Sequence, residues 1–243
     1  SDLIIVTAGA KQKPGQTRLD LAATNAEMLK KMLPELLRLS PNAIFLLVTN
    51  PCDVLAVIAQ RITGLPASRI FASGTVLDSA RLRWVIAERF KVSNNSVHAY
   101  IVGEHGDSEF ALWSQTRIGP VPITEWELAP GLTITQEELD QMALDVKNAA
   151  YKVIAGKGAT NYAIGLSATR IAQAILGDSN DVLSVSTAIS IQRIEQLLFV
   201  SDTGKPHQRE SGCADSPEEQ VHSQTSVHQS GTATVAAAMV LRD

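Results

Sequence analysis

An α/β fold, a parallel sheet with a second α+β unit behind it, is what this sequence predicts, on three observations. Short, almost wholly apolar runs alternate with longer segments of helical period through the first hundred residues. Those runs lack polar alternation, as strands covered on both faces do. After Phe110 the texture changes to short, proline-interrupted strands and amphipathic helices.

The elements follow in order. "LIIVTAGA" reads as a buried strand and its exit loop, and "KQKPGQT" as a polar loop. Leu21, Ala22, Met28, Leu29, Leu33, Leu36 and Leu37 keep a helical spacing from Leu19 to Leu39, with Pro34 placed to bend that helix. "AIFLLVTN" is a second strand, and "PCDVLAVIAQRITG" a helix stopped by Gly64. "SRIFAS" is a third, short strand, followed by a helix from Leu77 to Phe90 and a buried strand closing at Val102. In the second unit, Thr135 is a good N-cap with Glu138 placed for a capping box, at the head of one helical segment reaching Gly158. A helix over 160–176 and the strand "DVLSVSTAIS" complete it. Beyond Ile191 the chain is rich in Ser, Thr, Gln, Gly and His and reads as an irregular tail with a short apolar end.

Bulk properties exclude several function classes. With 243 residues and 45% hydrophobic content, the chain can build one large core or two joined subdomains. A net charge of −4 without a basic cluster argues against a nucleic-acid surface. No apolar run reaches the roughly 18 residues of a membrane span, and the opening residues do not resemble a signal peptide. Two distant cysteines, Cys52 and Cys213, exclude a disulfide framework and suit a reducing cytoplasm. His207, Cys213, His222 and His228 match no compact zinc spacing, so no metal is expected.

The chemistry concentrates at element ends. In "AYIVGEHGDSEF", His105 sits between Gly103 and Gly106 where a strand exits, a place for a proton exchanger held at the edge of a sheet. In "SGTVLDSARLR", Asp78 and Arg81 are three apart, which is also the spacing of an ordinary surface ion pair. As functional groups they divide: Asp78 fixes the His105 tautomer, and Arg81 grips a planar carboxylate. Asn50, after the strand in "VTNPCD", offers an amide to a substrate oxygen or simply caps a helix. Arg18, at the far end of the Pro14–Gly15 loop, can polarise a carbonyl when that loop closes. Together these parts suit reduction of a 2-oxo acid, with the hydride brought by a nicotinamide cofactor.

The motifs "VTAGAKQKPGQTRLDL", "VTNPCDVLA", "SGTVLDSARLR", "GEHGDSE" and "KGATNYAIGLS" stand in the order and at about the spacing of the lactate/malate dehydrogenase family, and this chain resembles its bacterial L-lactate dehydrogenases from Ser1 to about Ser190. The resemblance implies part of a doubly wound (Rossmann) sheet over residues 1–73, a catalytic α+β domain over 74–190, and an atypical tail over 191–243. It implies NAD as cofactor, met by Thr7, Gly9, Val48, Asn50, Ser73 and Ile164. His105, Asp78 and Arg18 would be catalytic, and Gln12, Arg18, Asn50, Arg81 and Thr160 would bind pyruvate or L-lactate. Gln12 stands where malate dehydrogenases usually have arginine, and a neutral amide leaves the second carboxylate of oxaloacetate without a cationic partner. Arg83 and His98 match positions that bind fructose 1,6-bisphosphate between subunits in allosteric members, and a cytoplasmic homotetramer is implied with them.

The sequence also departs from the family. It opens at what corresponds to the fourth strand of the cofactor domain, so the family's G-x-G-x-x-G turn and ribose-binding acid have no counterpart in it. After Ile191 the amphipathic C-terminal helix of the family is not matched. A malate or other 2-hydroxy-acid dehydrogenase is the alternative within the class. A piece that does not bind cofactor, and so is weakly active or inactive, is the alternative outside it.

Overall fold

Strands β1 (Leu3–Val6), β2 (Ile44–Leu47) and β3 (Ile70–Ala72) lie side by side and parallel, with Leu3 opposite Ile44 and Phe45 opposite Ile70. The computed structural model describes residues 1–10, 18–127, 129–158, 160–190 and 232–240. Successive side chains of a strand face opposite sides, and on β2 and β3 both sides are covered, whereas Ile5 of β1 is exposed. Phe45 and Leu47 pack with Leu29 and Leu33 of helix α1 (Arg18–Leu39) and with Leu55 and Ala59 of helix α2 (Cys52–Thr63). Leu46 between them packs the other way, with Phe71 of β3, Val185, and Ala168 and Ile171 of a helix farther along the chain. That two-sided burial is why "AIFLLV" carries no polar alternation. α2 ends where expected, at Gly64 with φ +68, and α1 runs through Pro34 without a break in its helical assignment.

The sheet continues with antiparallel partners. Strand β9 (Val182–Ser190) meets β3 at Ala72 opposite Ser186, and β10 (Thr232–Val240) pairs with β9 along its whole length. The order is β1-β2-β3-β9-β10. β10 corrects the expectation of an irregular tail over 191–243. Its nine residues, "TATVAAAMV", satisfy the free edge of β9 with main-chain hydrogen bonds, which a polar composition upstream does not forbid. The rest of that tail, with His207, Cys213, His222 and His228, lies outside the described residues.

A second core lies between helix α3 (Val76–Phe90) and helix α4 (Gln136–Lys147), where Leu82, Ile86 and Phe90 meet Leu139, Met142 and Val146. Small strands line it: β4 (Val97–His98) pairs with β7 (Arg117–Ile118), and β7 with β8 (Val121–Pro122). β5 (Ile101–Val102) pairs only with β6 (Phe110–Ala111) among the described residues. The strand before His105 is therefore a two-residue arm of a hairpin, not an edge of the central sheet. The Thr135 capping box is present, with its hydroxyl accepting from the Glu138 N–H at 3.2 Å and the Glu138 carboxylate accepting from the Thr135 N–H at 3.1 Å. The helical segment it opens breaks at Asn148 into α4 and α5 (Ala149–Lys157); α6 (Tyr162–Leu176) follows.

Candidate active site

The hairpin that carries His105 is anchored from beneath by buried hydroxyls. Thr75 Oγ1 donates to the Ile101 carbonyl at 2.6 Å, and the Ile101 N–H donates to Ser79 Oγ at 2.9 Å. Ser79 Oγ also lies 2.9 Å from Ser184 Oγ of β9, so α3, β5 and the main sheet are tied at one point. Gly103, at φ +92, then turns the chain out of β5 toward His105.

His105 Nδ1 lies 2.5 Å from Asp78 Oδ2, and Arg81 Nη1 donates to Asp78 Oδ1 at 3.1 Å. Asp78 is buried in the first turn of α3, and one carboxylate thus serves both partners. Asp78 and Arg81 do form an ion pair, but a buried one that also holds His105, which corrects the reading of an ordinary surface pair. Burial lowers the pKa of His105, but the hydrogen bond and charge of Asp78, with the charges of Glu109 and Asp53, outweigh it and leave the imidazole above its ordinary value.

A cavity of about 390 Å³ opens over this group, lined by His105, Asp78, Arg81, Asn50, Glu109 and Tyr151 among others. Thr160 lies in an adjoining cavity of about 440 Å³ that shares Arg81 with the first. Arg83 and His98 line a third, of about 750 Å³, which Arg81 and Arg170 also border. Within it Arg83 Nη1 donates to the Ala99 carbonyl at 3.2 Å, while Arg170 is paired with Asp181 at 2.8 Å. Gln12 and the side chain of Arg18 lie outside the described residues.

Two acids at this site are missed by sequence reasoning. Asp53 Oδ2 accepts from the His105 N–H at 3.0 Å, tying the histidine turn to α2, and its other oxygen is buried with no hydrogen-bond partner among the described residues. Glu109 is pushed far above the usual carboxylate range, to about 8, by burial and then by the Asp78 charge, with His105 opposing. The signal that could have found them is local: both acids stand in the quoted motifs, in "NPCD" and "GDSE".

The residues expected to meet the cofactor fall at the carboxyl ends of neighbouring strands. Thr7 follows β1, Val48 follows β2 and Ser73 follows β3, where open α/β sheets bind nucleotides. Asn25 of α1 braces the loops beside them: its Oδ1 accepts from the Ala10 N–H and its Nδ2 donates to the Asn50 carbonyl, each at 2.8 Å. Gly9 fits closely there, since a Cβ on it would lie 2.3 Å from the Thr49 methyl. Ile164 is half-buried in the first turn of α6. The strand-end residues fit a dinucleotide lying across this crest.

Residues 1–72 match the family model of the lactate/malate dehydrogenase NAD binding domain, and residues 75–199 match that of the family's alpha/beta C-terminal domain. The chain belongs to the lactate/malate dehydrogenase family. Its relatives include an L-lactate dehydrogenase of Bifidobacterium animalis subsp. lactis, 52% identical over 191 residues that make up 78% of this chain and 60% of that protein. One from a Synechococcus strain is 49% identical over 191 residues, 77% of this chain and 60% of its own. Among solved structures, the minor L-lactate dehydrogenase of Enterococcus mundtii in its ligand-bound form superposes with a TM-score of 0.74 at 46% identity, covering 78% of this chain and 60% of that one. The chain spans about three-fifths of the length of the curated relatives it matches. Among the described residues no helix is long and apolar enough to cross a membrane.

Proposed function

We propose that the protein interconverts pyruvate and L-lactate with NAD. The observation that carries this is the Asp78 carboxylate shared by His105 and Arg81 at the floor of one cavity. With Nδ1 engaged by Asp78, the exchangeable proton of His105 is the one on Nε2, available to the carbonyl oxygen of pyruvate. Arg81 holds the carboxylate of that substrate, Asn50 binds its reacting oxygen, and Thr160 closes the pocket beside Arg81. Arg18 polarises the carbonyl. Thr7, Gly9, Val48, Asn50 and Ser73 beyond the strand ends, with Ile164 of α6, would hold NADH, which would supply the hydride. Reduction consumes a proton, and an imidazole with a raised pKa keeps that proton available near neutral pH.

The test is NADH oxidation by this chain with pyruvate and with oxaloacetate, beside a direct NADH-binding titration. Faster turnover of pyruvate supports the reading. Preference for oxaloacetate makes the protein a malate dehydrogenase instead, and failure both to bind NADH and to turn over either acid makes this chain a non-catalytic piece. Gln12→Arg should raise the oxaloacetate-to-pyruvate ratio of kcat/KM at least about tenfold, since a cation then faces the second carboxylate. An unchanged ratio removes Gln12 from substrate selection.

Arg83 and His98 are the proposed seat of activation by fructose 1,6-bisphosphate, in a cytoplasmic homotetramer. The basic border of their cavity favours a doubly anionic ligand. Arg83→Gln is expected to abolish activation while leaving the basal rate with pyruvate within about twofold, because Arg83 lines none of the substrate cavity. Activation that persists in this variant, assayed by titrating the bisphosphate at fixed pyruvate, places the effector elsewhere.

A further inference from the structure

Asp78 serves more partners than a histidine-orienting aspartate needs. Its carboxylate is 3% exposed at the side chain and accepts from both His105 and Arg81. A second carboxyl, that of Glu109, stands beside it, for one ligand atom each of Asp78, His105 and Glu109 lie within 4.8 Å of one another. Two ionised carboxylates this close in a half-buried site repel strongly, and a shared proton relieves the repulsion. Glu109 comes from the far arm of the same hairpin that carries His105, one residue before β6, so it is held there by the fold.

We propose that Glu109 is a positioning residue whose carboxyl keeps a proton and donates it to Asp78, so that its ionisation state sets how firmly the Asp78–His105 pair holds the imidazole proton. The inference rests on the dehydrogenase reading for its consequence in turnover, but not for its test. With Glu109 protonated, Asp78 divides its oxygens among three donors and pulls less on His105. When Glu109 ionises, its charge joins that of Asp78, and the imidazolium is stabilised by both.

The other charges around Glu109 modify this balance without supplying it. From α3 come Asp78 and Arg81, from α2 Asp53, from the histidine loop Glu104 and Asp107, and from α4 Lys147, whose ammonium donates to the Asp107 carbonyl. Tyr151 of α5 donates to Asp107 Oδ1 at 3.3 Å. Glu104 accepts from Ser108 Oγ at 3.0 Å. Of these acids, only Asp78 hydrogen-bonds to the His105 ring in the described residues.

The fate of this proton is visible without turnover. Side-chain carboxyl carbons and imidazole ring carbons of the full chain can be followed by NMR as pH is raised, with Glu109→Gln assigning the carboxyl and His105→Gln the ring. Glu109 should lose its proton at about 8, not in the range of an exposed glutamate. Glu109→Gln keeps the donor to Asp78 but cannot ionise, so the His105 ring carbons should lose the second inflection, near pH 8, that the ionisation of Glu109 gives them in the unaltered chain, while the main His105 midpoint stays where it was. A purely structural glutamate, already ionised well below that pH, would give the ring no such inflection to lose. Glu109→Asp, which retains a carboxyl, should keep an inflection of this kind.

A Glu109 that titrates like an exposed glutamate in the unaltered chain overturns the proposal, whether or not any variant folds. So does a His105 ring signal that shows no inflection near pH 8 in the unaltered chain, or one that persists in Glu109→Gln. Failure of pyruvate turnover bears only on the dehydrogenase reading, since both titrations can be recorded on a chain that does not turn over.

Discussion

His105→Ala is expected to lower kcat with pyruvate by about 10²- to 10⁴-fold, the range over which a positioned acid or base acts. The affinity for NADH should stay the same, because the imidazole bonds to Asp78 and stands outside the strand-end group proposed for the cofactor, while the His105 N–H keeps its bond to Asp53 in the variant. KM for pyruvate should change little, since Arg81 and Asn50 remain to hold the substrate. Asp78→Asn should fall in the same range by another route. An amide at that position frees the choice of tautomer at His105 and removes the charge that raises its pKa, so the high-pH fall of the rate with pyruvate should begin at lower pH. Steady-state rates across pH, with a fluorescence titration of NADH, measure all of this. A His105→Ala enzyme within about tenfold of the parent would remove His105 from the chemistry.

How much of this is legible in the sequence differs from element to element. The apolar run "AIFLLV" announces a strand buried on both faces, and the burial of Phe45, Leu46 and Leu47 agrees with it. The Thr135 capping box and the Gly64 stop are readable because each depends on one residue type at one offset. The pairing of His105 with Asp78 follows from their chemistry and is met in the fold, although the two are 27 positions apart. The contacts made between elements are not readable. That Arg81 shares Asp78 with His105, that Asp53 grips the His105 N–H, and that Glu109 lies against Asp78 all depend on where α2, α3 and the hairpin meet. An acid shortly past a histidine reads as a solvated loop charge until the opposite wall is known. β10 is hidden for a different reason: a strand completed by a partner far upstream has no local signature beyond its β-branched and small residues.

Gly74→Ala should cost about 2–5 kcal/mol of folding stability, because a strain cost and an overpacking cost combine there. Gly74 sits at φ +51, where an L residue is strained by about 1–2 kcal/mol. Its Cβ would also lie 2.6 Å from the Ser186 amide nitrogen and 2.7 Å from the Ser184 carbonyl oxygen, which are backbone atoms of β9 and cannot swing aside. Overpacking of that kind adds about 1–3 kcal/mol. Gly119 separates the two: it has φ +56 but nothing within 4 Å of where a Cβ would stand, so Gly119→Ala should show the strain alone. Urea unfolding of the parent and both variants measures the difference, and equal losses for the two variants would mean that the close approach of Gly74 to β9 contributes nothing. Relief of the Gly74 clash would have to move α3 away from β9. Asp78 and Arg81 ride on the first turns of that helix, so whatever stability survives in Gly74→Ala should be accompanied by a loosened His105–Asp78 contact and a lower His105 pKa.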